Sequence, residues 1–332
     1  MTIPQIKKPT LLYGLGVASP YLDVESDLRA RNVQVDLASN QTIISFLEDH
    51  NLLEGVALEY YALSSVSFTE YEIRTDSEFV LDEKSGFFRI LSDAMLTVHI
   101  RHATTPDAYG ILHYGVVLDI AEGVHARVRI ISEASQHRDV CLVKANVRDA
   151  ATLELNEVII TDQDTFRRSR IALAKGARVY PHHALFSYGE AKVDVKSDVD
   201  HYGESSESDM KIRAVVAERS EAITQGDVTI KPTARSSNGY QKEDIILLGD
   251  GMARPIPNLE IGNHEVKCSH GATVTNIDEE TIFYLTSRGI TRKAAVGLVV
   301  SSFVNPILTL FSDDEQEAYR QALHGIVDRA LR

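Results

Sequence analysis

Residues 111–274 contain no amphipathic pattern long enough for a helix of ten or more residues, and this absence constrains the fold most. A doubly wound α/β sheet needs a crossover helix between its parallel strands, so that fold is excluded. Short runs rich in β-branched residues, many alternating with period two and separated by Gly, Asn, Asp or Pro, predict strands instead. The clearest runs in and just before this stretch are 96–100, 116–120, 126–130, 141–143, 153–155, 158–160 and 192–195.

The strands carry a faint repeat, marked by small residues near their starts. Alanines at positions 126, 151, 177, 234, 253 and 272 are separated by 25, 26, 57, 19 and 19 residues. A period of roughly 20–25 residues with one set of strands per period is typical of a β-solenoid, whose coils stack ~4.8 Å apart. We therefore expect a β-solenoid, with a β-sandwich whose turns share Gly and Ala as the alternative.

The pattern becomes helical after residue 274. Acidic residues at 278–280 favour the start of a first helix, and Gly289 stands where a left-handed C-cap is needed. Thr291 is placed to cap a second helix, and Ser312 with Glu315 forms a capping box for a third. The stripe expected to be buried in the third helix is Tyr319, Ala322, Leu323, Ile326, Val327, Ala330 and Leu331.

The second of these helices includes a run without charge, residues 294–311. Eighteen residues is near the lower limit for a membrane-spanning helix. Because Pro306 interrupts the run and the sequence offers no second candidate, we expect burial in protein and no membrane association.

Three regions follow from these changes of pattern. Residues 1–50 are mixed and include a predicted helix at 42–48. Residues 51–275 form the predicted β-helix core, and residues 276–332 form a C-terminal helical domain.

Composition excludes several classes of function. The chain has 34 Lys+Arg against 48 Asp+Glu, a formal charge of −14, and no basic run, which argues against nucleic acid. Two cysteines are too few for a disulfide scaffold or a closed zinc site within one chain. No basic segment followed by an apolar one opens the sequence, so we expect a cytoplasmic protein. Phosphate-loop, nucleophile-elbow and zinc-protease motifs are missing, which argues against an ATPase or serine hydrolase.

Acidic and histidine residues in the β region offer two weak candidates. Carboxylates such as Asp198 and Asp200 could serve a β-helix carbohydrate-active enzyme, although alternation with valines indicates a solvated outer face. His182 and His183 are adjacent in a strand, so they point to opposite faces and do not form a metal pair. His201 is expected to be an interior or turn histidine with its hydrogen bonds satisfied.

Cys268 and His270 form the strongest candidate site. Two residues apart in a strand, they project to one face with Cα atoms ~7 Å apart. A thiolate beside an imidazole suits soft-metal or sulfur chemistry. Because two ligands cannot complete a four-coordinate site, the pair implies an interface with a second subunit; a buried cysteine at a polar edge is the alternative.

The residues around this pair resemble the C-terminal signature of the SufB/SufD family, which supplies scaffold subunits for iron–sulfur cluster assembly. The resemblance is carried by Pro-Asn-Leu-Glu-Ile at 257–261, Val-Lys-Cys-Ser-His-Gly-Ala-Thr-Val at 266–274, Asp-Glu-Glu at 278–280 and Phe-Tyr-Leu-x-x-Arg-Gly-Ile at 283–290. It extends more loosely over residues 214–250. The Cys-x-His form is nearer to SufD than to SufB, which has a glutamate where this chain has Gly271. SufB also has a sulfur-accepting cysteine where this chain has Glu243.

The resemblance implies a right-handed parallel β-helix with a C-terminal helical domain, and a scaffold role without catalysis of its own. It implies a transient iron–sulfur cluster handled by Cys268 and His270 at a subunit interface. A SufC-like ABC ATPase would bind the helical domain, and a second copy or a SufB-like scaffold would bind through the β-helix. Cys141 matches nothing in the family pattern and is expected in the core.

Overall fold

The computed structural model describes residues 10–11, 18–19, 67–73, 77–81, 86–92, 94, 96–101, 111–134 and 138–331. The predicted helix at 42–48 lies outside these residues, and of the region 1–50 only a short antiparallel pair is described, β1 (Thr10–Leu11) with β2 (Ala18–Ser19). The three regions proposed from the sequence therefore stay predictions.

Sixteen further strands follow in the described part of the chain. They are β3 (Ser67–Ile73), β4 (Ser77–Leu81), β5 (Gly86–Ser92), β6 (Leu96–Arg101), β7 (Ile111–Ile120), β8 (His125–Ala134), β9 (Arg138–Val147), β10 (Thr152–Thr161), β11 (Thr165–Leu173), β12 (Arg178–Ser187), β13 (Lys192–His201), β14 (Glu207–Glu218), β15 (Glu221–Ile230), β16 (Asn238–Gly249), β17 (Met252–Ile261) and β18 (Lys267–Asn276). Three helices end the chain: α1 (Glu279–Ser287), α2 (Arg292–Leu308) and α3 (Asp313–Ala330).

The strands form two parallel sheets of eight, with consecutive strands in opposite sheets. The odd sheet runs β17-β15-β13-β11-β9-β7-β5-β3, and the even sheet runs β18-β16-β14-β12-β10-β8-β6-β4. Each coil thus contributes one strand to each sheet, which is the arrangement of a parallel β-solenoid. The predicted mainly β fold, a parallel solenoid followed by C-terminal helices, is confirmed.

The expected period of 20–25 residues is wrong. Register aligns His125, Thr152, Arg178, Glu207, Asn238 and Lys267 in one row, with spacings of 27, 26, 29, 31 and 29 residues. A coil is longer than expected because it contains two strands of about ten residues and two turns. Ala151 and Ala177 are equivalent by register, but Ala126 lies two residues farther along its coil.

One turn repeats the same backbone geometry in five successive coils. Gly123, Ala150, Gly176, Ser205 and Ser236 all have φ between 55° and 71°, the left-handed region. Each of their N–H groups donates to a carbonyl of the next coil, at 2.7–2.9 Å. The hydrogen-bond ladder therefore continues through the turns, which explains why alanine and serine are tolerated in a conformation that favours glycine.

The apolar interior between the sheets contains a buried charged cluster. Arg167, 2% exposed, pairs with Asp139 (Nη2–Oδ2 2.5 Å) and Glu157 (Nε–Oε1 2.9 Å). Glu157 Oε2 also lies 2.8 Å from His183 Nδ1. Burial would lower the pKa of Arg167, but Asp139 and the other neighbouring groups raise it above its ordinary value. The interior of the solenoid therefore combines apolar packing with a compensated charge cluster.

The C-terminal helices pack on the outer face of the even sheet. Apolar residues of β8, β10, β12, β14 and β16 form one core with residues of all three helices, including Ile282, Val300 and Leu323. Arg213 of β14 donates from Nη1 to the Phe303 carbonyl and lies over its ring, 5.3 Å from the centroid. This contact joins α2 to the sheet one turn before Pro306.

The helix starts predicted from the sequence are confirmed. Asp278, Thr291 and Ser312 are the N-caps, Ser312 and Glu315 form the capping box, and Gly289 has φ 86°. One face of the uncharged run is buried in the protein as expected, whereas Leu298 on the same helix is exposed. Leu331 was wrongly included in the buried stripe, since it follows the helix and is exposed. Among the described residues, no helix combines the length and apolar character needed to cross a membrane.

Candidate functional site

Cys268 and His270 both lie on β18, the last strand of the even sheet. Register places Cys268 beside Gly239 and His270 beside Gln241 of β16. Strand alternation puts both candidates on the same face, the one that points toward the solenoid axis. In the described part of the chain no strand is stacked beyond β17 or β18. These two strands, called the open end below, therefore hold the pair at an uncovered edge of the solenoid.

Cys268 is half-buried and packs against the interior apolar core. Gly239 leaves space beneath it: a Cβ atom added there would lie 3.5 Å from Cys268 Sγ and only 2.8 Å from Val228 Cγ1. Burial raises the pKa of the Cys268 thiol, and a hydrogen bond from the Gly239 backbone N–H acts in the opposite direction. Burial therefore disfavours ionisation of this thiol, and a nearby metal ion or basic partner group would favour the thiolate.

His270 is exposed and free to meet a partner. Within the described ranges, no group of three or more His, Cys, Asp or Glu side chains could hold a metal ion. The pair by itself supplies two ligands, fewer than a four-coordinate site needs. The subunit interface expected from the sequence stays a prediction.

Two buried polar residues lie on the inward face of β16, Gln241 beneath His270 and Glu243 beneath Ala272. Glu243 accepts hydrogen bonds from the Thr224 hydroxyl and, at 3.0 Å, from the Gly226 N–H. Burial raises the Glu243 pKa to about 6. Gln241 donates from Nε2 to the Asn258 carbonyl of β17 at 3.1 Å. Sequence analysis noted Glu243 only by its position and missed Gln241, because inward-facing polar residues of a strand look like solvated ones.

The open end exposes apolar side chains as well as strand edges. Ile261 and Val274 are exposed there, although their register equivalents in the preceding coil, Ile230 and Ile245, are buried. Met252 is exposed at the same end. Unpaired backbone groups and apolar side chains together are the features of an edge that binds another chain.

A second exposed apolar surface lies on α1. Phe283 is 73% exposed and Tyr284 is 56% exposed, and Arg288 lies 5.0 Å from the Tyr284 ring centroid. Neighbouring aromatic side chains exposed to this extent on one helix are typical of a protein-binding surface.

The carboxylates considered for the alternative carbohydrate-active function form ion pairs with Lys and Arg side chains. Asp198 lies 3.4 Å from Lys196 and 3.6 Å from Arg168, and Asp200 lies 3.4 Å from Arg170. Burial raises the Asp198 pKa to about 6. This outer face is thus an ion-pair network, as its alternating pattern indicates.

The histidines and Cys141 lie where the sequence places them. His182 faces outward and His183 inward, so they do not form a metal pair. His201 is buried and bonded through both ring nitrogens to Ser206 and Ser208. Cys141 is in the core, where burial raises the pKa of its thiol above the ordinary value.

Comparison with known proteins gives a consistent family match. The family model described as SUF system FeS cluster assembly, SufBD core domain, matches residues 89–303. The chain is 24% identical to the iron-sulfur cluster assembly protein SufD of Escherichia coli over 253 residues, 66% of this chain and 60% of the relative. It is 24% identical to SufD of Bacillus subtilis over 306 residues, 91% of this chain and 63% of the relative.

An archaeal relative gives a similar result. An iron-sulfur cluster assembly SufBD family protein of Methanothermobacter thermautotrophicus is 25% identical over 259 residues, 76% of this chain and 61% of the relative. The chain therefore spans about three fifths of the length of the curated relatives that it matches.

Proposed function

Because the chain belongs to the SufBD family of the SUF iron–sulfur cluster assembly system, we propose that it acts as a scaffold subunit without catalytic activity of its own. Its cargo is an iron–sulfur cluster that forms transiently and leaves for a recipient protein. Working partners are a second scaffold subunit and a SufC-like ABC ATPase, in the cytoplasm.

The arrangement of Cys268 and His270 at the open end is the observation that carries this proposal. A thiolate and an imidazole are suitable ligands for iron in a cluster. Their position on an uncovered edge strand lets a second subunit approach and supply the remaining ligands. The carbohydrate-active alternative has no comparable support, because its carboxylates are engaged in ion pairs.

Anaerobic reconstitution tests the function directly. The chain and its partner scaffold are mixed with ferrous iron and sulfide, and visible charge-transfer absorption is followed. We expect absorption from the assembled dimer, whether with another copy or with a SufB-like chain, and little or none from the monomer, since one chain provides only two ligands. A complex that forms but stays colourless would contradict the proposal.

The second scaffold subunit, either another copy or a SufB-like chain, is proposed to bind at the open end. Ile261→Lys places a charge on this surface and should weaken the dimer at least tenfold by desolvation and by loss of apolar contact. Leu298→Lys on α2 is the matched control, because Leu298 is 50% exposed and Ile261 is 49% exposed. Sedimentation equilibrium measures both, and equal dissociation constants for the two variants would place the interface elsewhere.

The ATPase is proposed to bind the C-terminal helical domain through α1. Replacing both Phe283 and Tyr284 by alanine should weaken ATPase binding at least tenfold, because exposed aromatic side chains contribute most at such interfaces. The stability of the chain should change little, since both side chains are largely in solvent. Calorimetric titration with the ATPase subunit gives the affinity, and unchanged affinity would argue against α1 as the contact.

A further inference from the structure

Two acceptor oxygen atoms converge in the interior below the open end. Gln241 is 3% exposed, and its Oε1 atom has no hydrogen-bond partner. A Cβ atom added to Gly226 would lie 2.9 Å from this atom and 3.1 Å from Glu243 Oε1. Both oxygens therefore face the same backbone position of β15, and the Gln241 oxygen has no donor there.

A proton on the Glu243 carboxyl would satisfy both groups. An ionised carboxylate and an amide oxygen repel each other, whereas a carboxylic acid can donate to the amide oxygen. The amide cannot simply be reversed, because its Nε2 already donates to the Asn258 carbonyl at 3.1 Å. We propose that Glu243 and Gln241 share a proton, and that this shared proton stabilises, in a pH-dependent way, the packing of the last coil (β17 and β18) on the rest of the solenoid.

The Gln241–Glu243 pair is linked to the open end by hydrogen bonds to the backbone of β17. Gln241 holds the Asn258 carbonyl, and Glu243 accepts a hydrogen bond from the Ile256 backbone N–H; both partners lie on β17. When the proton is lost, repulsion turns the Gln241 oxygen away and weakens the bond to Asn258. The pair therefore controls how firmly the strand beside the Cys268–His270 edge is held.

The surroundings of Glu243 favour the protonated form. Burial raises its pKa to about 6, and the Asp227 carboxylate of β15 acts in the same direction. Thr224 and Gly226 of β15, with Ile256 of β17, donate hydrogen bonds that lower the pKa but do not reverse the shift.

The residues in register with Glu243 on the two neighbouring strands are uncharged. From β14, Ile212 is the residue in register with it, and from β18 the neighbour is Ala272, so neither Cys268 nor His270 is adjacent in register.

The sign of the pH effect follows from linkage. The Glu243 pKa is raised in the closed coil above the value of 4.5 for an exposed glutamate. The stabilisation is therefore complete below about pH 4.5 and is lost as the pH rises through about 6. The opening equilibrium of the last coil should rise roughly tenfold between pH 5 and pH 8.

Hydrogen exchange in the full chain measures this opening. Protection factors of β17 and β18 amides, corrected for intrinsic exchange, should fall roughly tenfold from pH 5 to pH 8. Glu243→Gln offers an amide donor to Gln241 at every pH and should abolish the dependence. Asp198→Asn is the matched control, because the Asp198 pKa is also about 6 but its side chain is on the outer face of β13, so this variant should keep the wild-type dependence.

Carboxyl carbon NMR gives a second, independent measurement on the wild-type chain. The Glu243 signal should titrate with a midpoint near 6, and Gln241→Met should lower that midpoint because the acceptor is removed. A midpoint near the ordinary glutamate value, or one that Gln241→Met leaves unchanged, would overturn the proposal. Neither experiment needs iron, sulfide or a partner, so a failure here is distinct from a failure of the scaffold function.

Discussion

Replacing Cys268 by serine is expected to abolish iron–sulfur cluster formation in the assembled complex while leaving the fold of this chain intact. Serine oxygen is a poor donor to iron compared with thiolate sulfur, so the ligand is lost although the side chain keeps its shape. The structural cost should be no more than about 1–3 kcal/mol, since Cys268 is only half-buried and a hydroxyl there can reach water. Anaerobic cluster yield in the whole complex, with thermal melts of each variant, separates the two effects.

Two further variants make the Cys268 test discriminating. His270→Ala should also lower the cluster yield, but less than Cys268→Ser does, because water or a partner's ligand can replace the imidazole. Cys141→Ser is the matched control: it buries a hydroxyl in the core and should lower stability while cluster assembly continues. A normal cluster yield from a stable Cys268→Ser complex would contradict the proposed role of this cysteine in cluster assembly. The assignment of the chain to the family fold would be unaffected.

The helix starts are the features best predicted from the sequence, because they depend on hydrogen bonds between residues close together in the chain. The starts of α1, α2 and α3 lie at Asp278, Thr291 and Ser312, because an N-cap side chain satisfies backbone N–H groups within three residues of itself. The solenoid fold could be inferred from the many short runs rich in β-branched residues and from the absence of a crossover-helix pattern between residues 111 and 274. Its period could not, because alanine marks tight packing at several points of a coil and not one register position.

The candidate site was only partly accessible from the sequence. Cys268 and His270 are two residues apart in one strand, so alternation alone places them on one face. Gln241 and Glu243 come from the strand below, and only the register of β16 with β18 places Gln241 under His270 and Glu243 under Ala272. The interior charged cluster was missed for the same reason: Arg167 and Asp139 are 28 residues apart, and a polar residue in an alternating strand is normally assigned to solvent.

Replacing Arg167 by methionine is expected to have the largest effect on stability. The guanidinium compensates two buried carboxylates, Asp139 and Glu157. Its removal leaves Asp139 with only the Ser132 hydroxyl and Glu157 with only His183 among these contacts. Breaking a buried ion pair by deleting one partner costs about 3–5 kcal/mol. That is a large fraction of the stability of an ordinary domain, so Arg167→Met should reduce the folded population at 37 °C.

Arg168→Met is the matched control for this prediction, because the neighbouring residue points to the opposite face. Arg168 is 36% exposed and lies 3.6 Å from Asp198, so its loss should cost about 1 kcal/mol or less. Urea unfolding at pH 7 gives both free energies. Comparable losses for the two variants would show that the charge cluster is not compensated by Arg167. Replacing Asp139, Glu157 and Arg167 together by apolar residues of similar volume should recover much of the loss, because the penalty comes from the uncompensated charges and not from the missing bonds.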